Sequence, residues 1–166
     1  MASPGIGSSP HVFGALFAMM AGVDWVHVPY RGSFYPDLLG GQVQVAFNPI
    51  PSVLELIRVG KLRALAVTTT TRLEVLPDIP AMEEFVAGYE ASGWQGVGVP
   101  KNTPEEIVEK LNRTINAGLA DPVIKQRLVE QGTLPISMTL AKFAKLIADE
   151  TEKWAKVIRA AGIKAE

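Results

Sequence analysis

The chain has 166 residues, of which 48% are apolar and 20% charged, and its formal net charge is -1. A chain of this length buries roughly 70% of the surface that it exposes when unfolded, so a hydrophobic core is expected, in one domain or two small lobes. The balanced charge offers no basic surface for nucleic acid, so the partner is expected to be a small molecule or another protein. The absence of cysteine excludes disulfides, thiolate catalysis and cysteine-ligated metals.

The amino-terminal segment predicts a glycine-serine loop followed by a helix. Ser8 or Ser9 can cap this helix, Pro10 occupies its first turn and Gly22 ends it. Only Met1 and Ala2 precede the loop, so the strand that normally leads into such a loop is expected to be missing, as in a chain that begins within a fold. The first residues lack the basic and apolar regions of a signal peptide, so the chain as written is expected to be cytosolic or part of something longer.

The middle of the chain alternates short apolar runs with turns that glycine and proline mark. This pattern predicts strands at residues 23–29, 42–47 and 62–68, with short helices at 34–39 and 52–59 between them. The order strand, helix, strand is typical of an α/β fold with a parallel sheet. In open sheets of this kind, ligands bind beyond the carboxyl ends of the strands.

Two short elements are predicted after the third strand. Prolines interrupt the pattern, and one short helix is expected at residues 81–85. Residues 92–100 are predicted to form a strand whose glycines leave little side-chain packing and indicate a close approach of other groups to the backbone. These glycines are Gly93, Gly96 and Gly98.

The carboxyl-terminal part predicts helices. A capping-box pattern at Thr103 and Glu106 predicts a helix that runs to about Leu119, and a further helix is expected between residues 122 and 132. The last helix begins after Thr139 and carries one apolar stripe, as an amphipathic helix docked on a core does; a coiled coil and a membrane-surface helix are weaker alternatives. The stripe consists of Leu140, Phe143, Ile147, Trp154, Val157 and Ala161.

The residues that could support catalysis, a metal or a cofactor are few. His11 and His27 are the two histidines, no G-x-S-x-G elbow occurs, and both histidines are interpreted as hydrogen-bonded structural groups. No histidine and carboxylate cluster has metal-ligand spacing, and the segment GIGSSP lacks the third glycine of a dinucleotide loop. The sequence therefore predicts no catalytic residue, no metal and no cofactor.

Three turns, SPGIGSSP, PYRGS and NPIPS, each precede a predicted helix and favour the binding of an anion. Helix N-termini offer free N–H groups and a favourable dipole to carboxylate or phosphate, and in a parallel sheet the three turns would lie at one edge. The alternative is that the serines merely cap helices. The candidate ligand-binding residues are Gly7, Ser8, Ser9, Tyr30, Arg31, Gly32, Ser33, Asn48 and Ser52.

The same turns carry a family resemblance. The segments SPGIGSSPH, VHVPYRGS, DLLGGQVQVAF, LPDIPAMEEF and GYEASGWQGVGVPKNTP resemble the tripartite tricarboxylate transporter receptors, also called Bug-type solute receptors. The resemblance implies a periplasmic-binding-protein-like (type II) α/β fold with a parallel-rich sheet flanked by helices. It also implies a periplasmic receptor, not an enzyme, that captures a small carboxylate and delivers it to membrane permease subunits.

The resemblance covers only part of such a receptor, with the first lobe largely missing. It implies that residues 1–90 are the second ligand-binding lobe, that residues 91–138 cross back to the absent first lobe, and that residues 139–166 form a carboxyl-terminal helix. The segment after Ser33 is shorter than in family members, and Asn48 stands where many relatives have aspartate.

Two consequences remain open from the sequence. An uncovered sheet edge tends to recruit another chain, so a homodimer or a strand-exchanged oligomer is expected. The second function hypothesis is a truncated scaffold or interaction module that keeps the fold but has little affinity.

Overall fold

The computed structural model describes residues 1–164, and the last two residues of the predicted carboxyl-terminal segment 139–166 lie outside the described part. The strands are β1 (Ala2–Ser3) and β2 (Val28–Pro29). The helices are α1 (Ser9–Ala21), α2 (Tyr35–Leu39), α3 (Ile50–Arg58), α4 (Glu105–Ala120), α5 (Pro122–Glu130) and α6 (Leu140–Ala160), with a 3-10 turn at Met82–Glu84.

A short parallel sheet is centred on β1. Ala2 pairs with Val28 of β2 on one side and forms a single parallel bridge to Ala46 on the other. The Val28 N–H donates to the Met1 carbonyl at 2.9 Å, and the Ala2 N–H donates to the Val45 carbonyl at 2.8 Å. The expectation that no strand precedes the first loop is therefore wrong, because the first residues themselves form the central strand.

The other predicted strands are shorter than the apolar pattern indicated. The strand expected at 23–29 is reduced to its last two residues, and those at 42–47 and 62–68 are reduced to single bridges at Ala46 and Val67. Residues 92–100 form no strand with any described residue. The alternation of apolar and polar residues shows only which face of a segment is apolar. A ladder of β-sheet hydrogen bonds also needs a neighbouring segment in register.

The helices lie close to their predicted bounds. Helix α1 has Ser8 at its N-cap position, but no serine side chain caps it; Gly22 follows its last residue, and the φ of 64° at Gly22 is the left-handed conformation that glycine adopts readily. Helix α4 corrects the predicted capping box, because its N-cap is Pro104 and no side chain caps it. None of the helices within residues 1–164 is both long and apolar enough to span a membrane.

Helices α1 and α6 pack together beside the sheet. The Phe13 and Trp154 rings lie 5.0 Å apart, and the fully buried Tyr89 donates its hydroxyl to the Phe13 carbonyl at 3.0 Å. The first half of α6 is not docked in this way, since Leu140 and Ile147 are exposed. The predicted stripe is therefore docked in part: Trp154 and Val157 pack in the carboxyl-terminal half of α6, and Phe143 in the first half packs edge-to-face on Trp94.

Candidate functional site

The three glycine- and serine-rich turns follow three neighbouring parallel segments. The first turn (residues 4–9) follows β1, the second (30–34) follows β2, and the third (48–52) follows the bridge at Ala46. Because β1 pairs in parallel with the segments on both sides, the carboxyl ends of all three point to the same edge of the sheet. The topology thus gathers the three turns at one edge.

The first turn is held by hydrogen bonds within itself and to α1. The Gly7 N–H donates to Nδ1 of His11 at 3.0 Å, and the Ser8 hydroxyl donates to the Gly5 carbonyl at 2.7 Å. These two groups, expected from the sequence to face a ligand, are therefore already engaged. Ser9 is exposed, and its N–H, at the start of α1, has no intrahelical acceptor.

A serine and two stacked histidines contact one another next to this turn. The rings of His11 and His27 are stacked with centroids 3.7 Å apart, and His27 Nε2 lies 2.7 Å from the Ser3 hydroxyl. Desolvation, followed by the nearby His11 and the Met1 amino group, lowers the pKa of His27 to about 4, and desolvation also lowers the pKa of His11. Both rings are therefore neutral near pH 7.

The Ser3 hydroxyl that contacts His27 is engaged within the first turn. Ser3 is fully buried, and its hydroxyl also donates to the Gly5 carbonyl at 3.0 Å. This geometry agrees with the interpretation of both histidines as structural groups. Within residues 1–164, no cluster of three or more histidines and carboxylates could hold a metal ion.

The second turn presents both engaged and available groups. The Tyr30 hydroxyl donates to Asp37 at 2.7 Å, and this hydrogen bond raises the pKa of Tyr30. The Tyr30 proton is thus engaged within the protein, and the expected contact of Tyr30 with a ligand stays a prediction. The Ser33 hydroxyl oxygen accepts from the Tyr35 N–H at 3.4 Å, which leaves the hydroxyl proton available. Arg31 and Gly32 are exposed.

Tyr35, which the sequence analysis did not single out, joins the second turn to the third. Its hydroxyl lies 3.3 Å from Asn48 Oδ1 and 3.2 Å from Ser52 Oγ. Ser52 donates its own proton to the Pro49 carbonyl at 2.7 Å, so this donor is engaged within the protein and the role of Ser52 in ligand binding stays a prediction. The Asn48 amide nitrogen keeps its two N–H donors. The only sequence signal for Tyr35 was a hydroxyl-bearing aromatic residue directly after a turn.

The nine candidate residues thus fall into two groups. Gly7, Ser8, Tyr30 and Ser52 use their donors within the protein. Ser9, Arg31, Gly32, Ser33 and Asn48 keep donors that can face a ligand.

These available donors line an open edge of the sheet. A depression of about 240 Å³ lies next to the stacked histidines and is lined in part by Met1, Met19 and Trp25, without any of the nine candidates. This depression is therefore not the predicted ligand site.

The family model for the tripartite tricarboxylate transporter family receptor matches residues 1–163. Protein BugT of Bordetella pertussis is 38% identical over 164 residues, which are 96% of this chain and 50% of BugT. A UPF0065 protein of Pseudomonas knackmussii is 33% identical over 158 residues, which are 93% of this chain and 94% of that protein. The chain spans about half the length of BugT and nearly the whole of the second relative.

Solved structures show the same fold. The R. palustris protein Rpa4515 with adipate is 36% identical, with a TM-score of 0.89 over 98% of this chain and 55% of that one. The periplasmic binding protein BugD is 33% identical, with a TM-score of 0.83 over 99% and 57%. MatC of Rhodopseudomonas palustris, with bound malate, is 29% identical, with a TM-score of 0.82 over 95% and 55%. The fold is a partial lobe of a periplasmic binding protein, and the chain belongs to the tripartite tricarboxylate transporter receptor family.

Proposed function

We propose that this chain is a periplasmic solute receptor, or the carboxyl-terminal part of one, that captures a small carboxylate for a tripartite tricarboxylate transporter. The observation that carries the proposal is the gathering of three donor-bearing turns at one edge of the parallel sheet. In this proposal, residues 1–90 form the second, ligand-binding lobe, residues 91–138 cross to a first lobe, and the carboxyl-terminal segment that begins at residue 139 contains the amphipathic helix α6.

The chemistry of the available groups favours an anionic ligand. Ser9, Ser33 and Asn48 offer hydroxyl or amide donors, and Arg31 offers a guanidinium that can bind a carboxylate through two parallel N–H bonds. The N-terminus of α1 adds a positive partial charge. The acidic side chain of Asp37, which lies nearby, already accepts the Tyr30 hydroxyl. The ligands of Rpa4515 and MatC, adipate and malate, both belong to this class.

One wall of a cleft is expected to bind weakly by itself. Small-molecule sites bury most of the ligand surface, and a ligand held on one side stays hydrated. Because the chain spans about half of BugT, we infer that strong binding needs the opposing lobe. The permease subunits of the transporter are the proposed receivers of the ligand.

Asn48 influences which carboxylic acids the site prefers. An aspartate here would pair with an ammonium group on the ligand, whereas the neutral amide of Asn48 does not. We therefore propose a preference for simple dicarboxylates over acidic amino acids. Asn48→Asp is expected to shift this preference toward glutamate and aspartate.

The test uses a fusion of this chain to the half of BugT that the alignment leaves unmatched, referred to below as the BugT fusion. Calorimetry with adipate and malate is compared for Arg31→Gln and for Arg63→Gln, an exposed control with the same loss of charge. A charged hydrogen bond contributes roughly 1.5–3 kcal/mol, so Arg31→Gln is expected to weaken binding about ten- to hundred-fold. Equal effects of the two variants would contradict the proposed role of Arg31.

The second candidate function is a scaffold that keeps the fold without the affinity. The observation in its favour is that four of the nine candidate residues use their donors internally. A folded BugT fusion that binds none of the acids would support the scaffold.

A further inference from the structure

The hydrogen bond between Gly7 and His11 joins the first turn to helix α1. The Gly7 N–H donates to Nδ1 of His11 at 3.0 Å. Gly5 and Gly7 have φ values of 147° and 76°, which glycine reaches readily, so backbone sterics alone leave the turn several alternative paths. Ser9, whose N–H is available to a ligand, lies two residues beyond Gly7. The position of this donor therefore depends on the contact between Gly7 and His11.

The tautomer of each histidine follows from its hydrogen bonds. Because Nδ1 of His11 accepts the Gly7 N–H, the neutral ring of His11 carries its proton on Nε2. The Ser3 hydroxyl donates to the Gly5 carbonyl at 3.0 Å and accepts from the Gly5 N–H at 3.2 Å, so it also accepts from Nε2 of His27 at 2.7 Å. A protonated imidazole has donors at both nitrogens. His27 therefore keeps its contact when it is protonated, whereas His11 loses its own.

The stacking of the two rings disfavours a positive charge on either of them. Their centroids lie 3.7 Å apart with an angle of 6° between the planes, and both rings are half-buried. Desolvation lowers the pKa of His11 and that of His27, and His11 and the Met1 amino group lower the pKa of His27 further. Asp24 lines the same depression with a negative charge, whereas α1 and Ala161, at the end of α6, contribute none. Both histidines are thus neutral at pH 7 and titrate below their ordinary pKa of 6.5.

We propose that His11 is a positioning residue of the carboxylate site, and that acid releases the first turn by converting Nδ1 of His11 from an acceptor into a donor. On protonation, the Gly7 N–H faces an N–H of the imidazolium instead of a lone pair, so the turn moves and the Ser9 N–H loses its position. The site then binds a carboxylate more weakly at low pH. The inference rests on the proposed function, because it names how the affinity of that same site is regulated.

A charge effect of the opposite sign competes with this release. An imidazolium near the site attracts an anion and by itself strengthens binding on acidification. The two rings, however, line the depression that none of the nine candidate residues borders, so their charge lies apart from the ligand and is screened by solvent. The hydrogen bond acts on the turn directly. Its loss is therefore expected to dominate.

The first test is nuclear magnetic resonance of the intact chain without a ligand. The ring ¹⁵N shifts of His11 report its tautomer and its titration, and the amide ¹H shift of Gly7 reports the hydrogen bond. We expect the Nε2–H tautomer at about pH 7.5, and a Gly7 shift that changes together with the titration of His11 below pH 6.5. A proton on Nδ1 at about pH 7.5, or a Gly7 amide that ignores the titration of His11, would overturn the inference.

The second test measures adipate binding to the BugT fusion by calorimetry at about pH 7.5. His11→Phe keeps an aromatic ring against His27 but has no acceptor, so it is expected to weaken binding about two- to tenfold, the effect of one neutral hydrogen bond. His11→Asn places an amide oxygen near the position of Nδ1 and is expected to restore most of this loss. His27→Gln, which keeps a donor toward Ser3, is the matched control and should change the affinity less than about twofold.

The pH profile of binding separates a positioning role from a merely structural one. Asparagine does not titrate, so the affinity of the parent fusion relative to His11→Asn should be constant above about pH 6.5 and fall about two- to tenfold toward about pH 4.5. The protonation of adipate cancels in this ratio. Circular dichroism at each pH confirms that both proteins are folded.

Three results of the binding test would overturn the inference. They are a ratio that does not change with pH, a ratio that rises on acidification, and equal losses for His11→Phe and His27→Gln. A parent fusion that binds no adipate at any pH would refute the proposed function instead. The resonances of the intact chain would still decide whether His11 holds the first turn.

Discussion

Replacement of Gly96 by alanine tests how the glycine-rich segment is held against α6. A Cβ at this position would lie 3.1 and 3.2 Å from the Cε2 and Cε1 atoms of Phe143, and closer still to Cζ. Carbon atoms normally approach to about 3.5–4.0 Å, so the ring would have to withdraw. Withdrawal disturbs the edge-to-face packing of Phe143 on Trp94, whose ring centroids are 5.6 Å apart.

The expected cost of Gly96→Ala is about 1–3 kcal/mol, the usual range for an inserted methyl group that forces a packed side chain to move. Gly98→Ala is the matched control, because a Cβ there has nothing within 4 Å, and its effect is expected to stay within about 0.5 kcal/mol. The assay is urea unfolding followed by tryptophan fluorescence. Adding Phe143→Leu, which removes the clashing ring, should recover part of the loss, since contacting sites are not additive.

The reasoning is refuted if Gly96→Ala and Gly98→Ala have the same effect on the free energy of unfolding. It is also refuted if the losses from Gly96→Ala and Phe143→Leu simply add.

Three further predictions concern the turns and one helix cap. Desolvation is the main reason that the pKa of His27 is lowered from 6.5 to about 4, so the unfolded chain binds a proton at a higher pH than the folded chain does. The free energy of unfolding should therefore fall as the pH drops from about 6.5 to 4. His27→Gln should reduce this fall, as measured by the midpoints of unfolding. Tyr35→Phe removes the hydroxyl that lies next to Asn48 Oδ1. It should weaken adipate binding to the BugT fusion about tenfold and lower the free energy of unfolding by less than about 1 kcal/mol. Unchanged affinity would contradict the proposal that Tyr35 positions Asn48. Asp121→Ala removes the cap of α5 and should cost about 0.5–2 kcal/mol in urea unfolding, whereas no loss would argue against the cap.

The helices could be predicted from the sequence because their signals are local. Proline in the first turn and glycine after the last turn mark α1, and the apolar spacing marks α4 and α6. The strands could not be predicted in the same way. Residues 92–100 have an extended pattern, but their pairing depends on segments far along the chain or outside it, which alternation alone does not identify.

The turns of the candidate site could be predicted, but not the state of each donor. A parallel sheet places its turns at one edge whatever their sequence, so the location follows from topology. Whether the Gly7 N–H or the Tyr30 hydroxyl is free depends on His11 and Asp37, which approach only when helices α1 and α2 form. Hydrogen-bond partners of this kind are not visible in a motif.

The proposed half-site is tested most directly by one calorimetric comparison. Adipate is titrated into this chain alone and into the BugT fusion under the same conditions. The proposal predicts one-to-one binding to the fusion and binding to the chain alone that is weaker by about a hundredfold or more, since a one-sided site leaves the acid hydrated. Equal affinity in the two proteins would contradict the half-site, and a folded fusion that binds no dicarboxylate would contradict the receptor function.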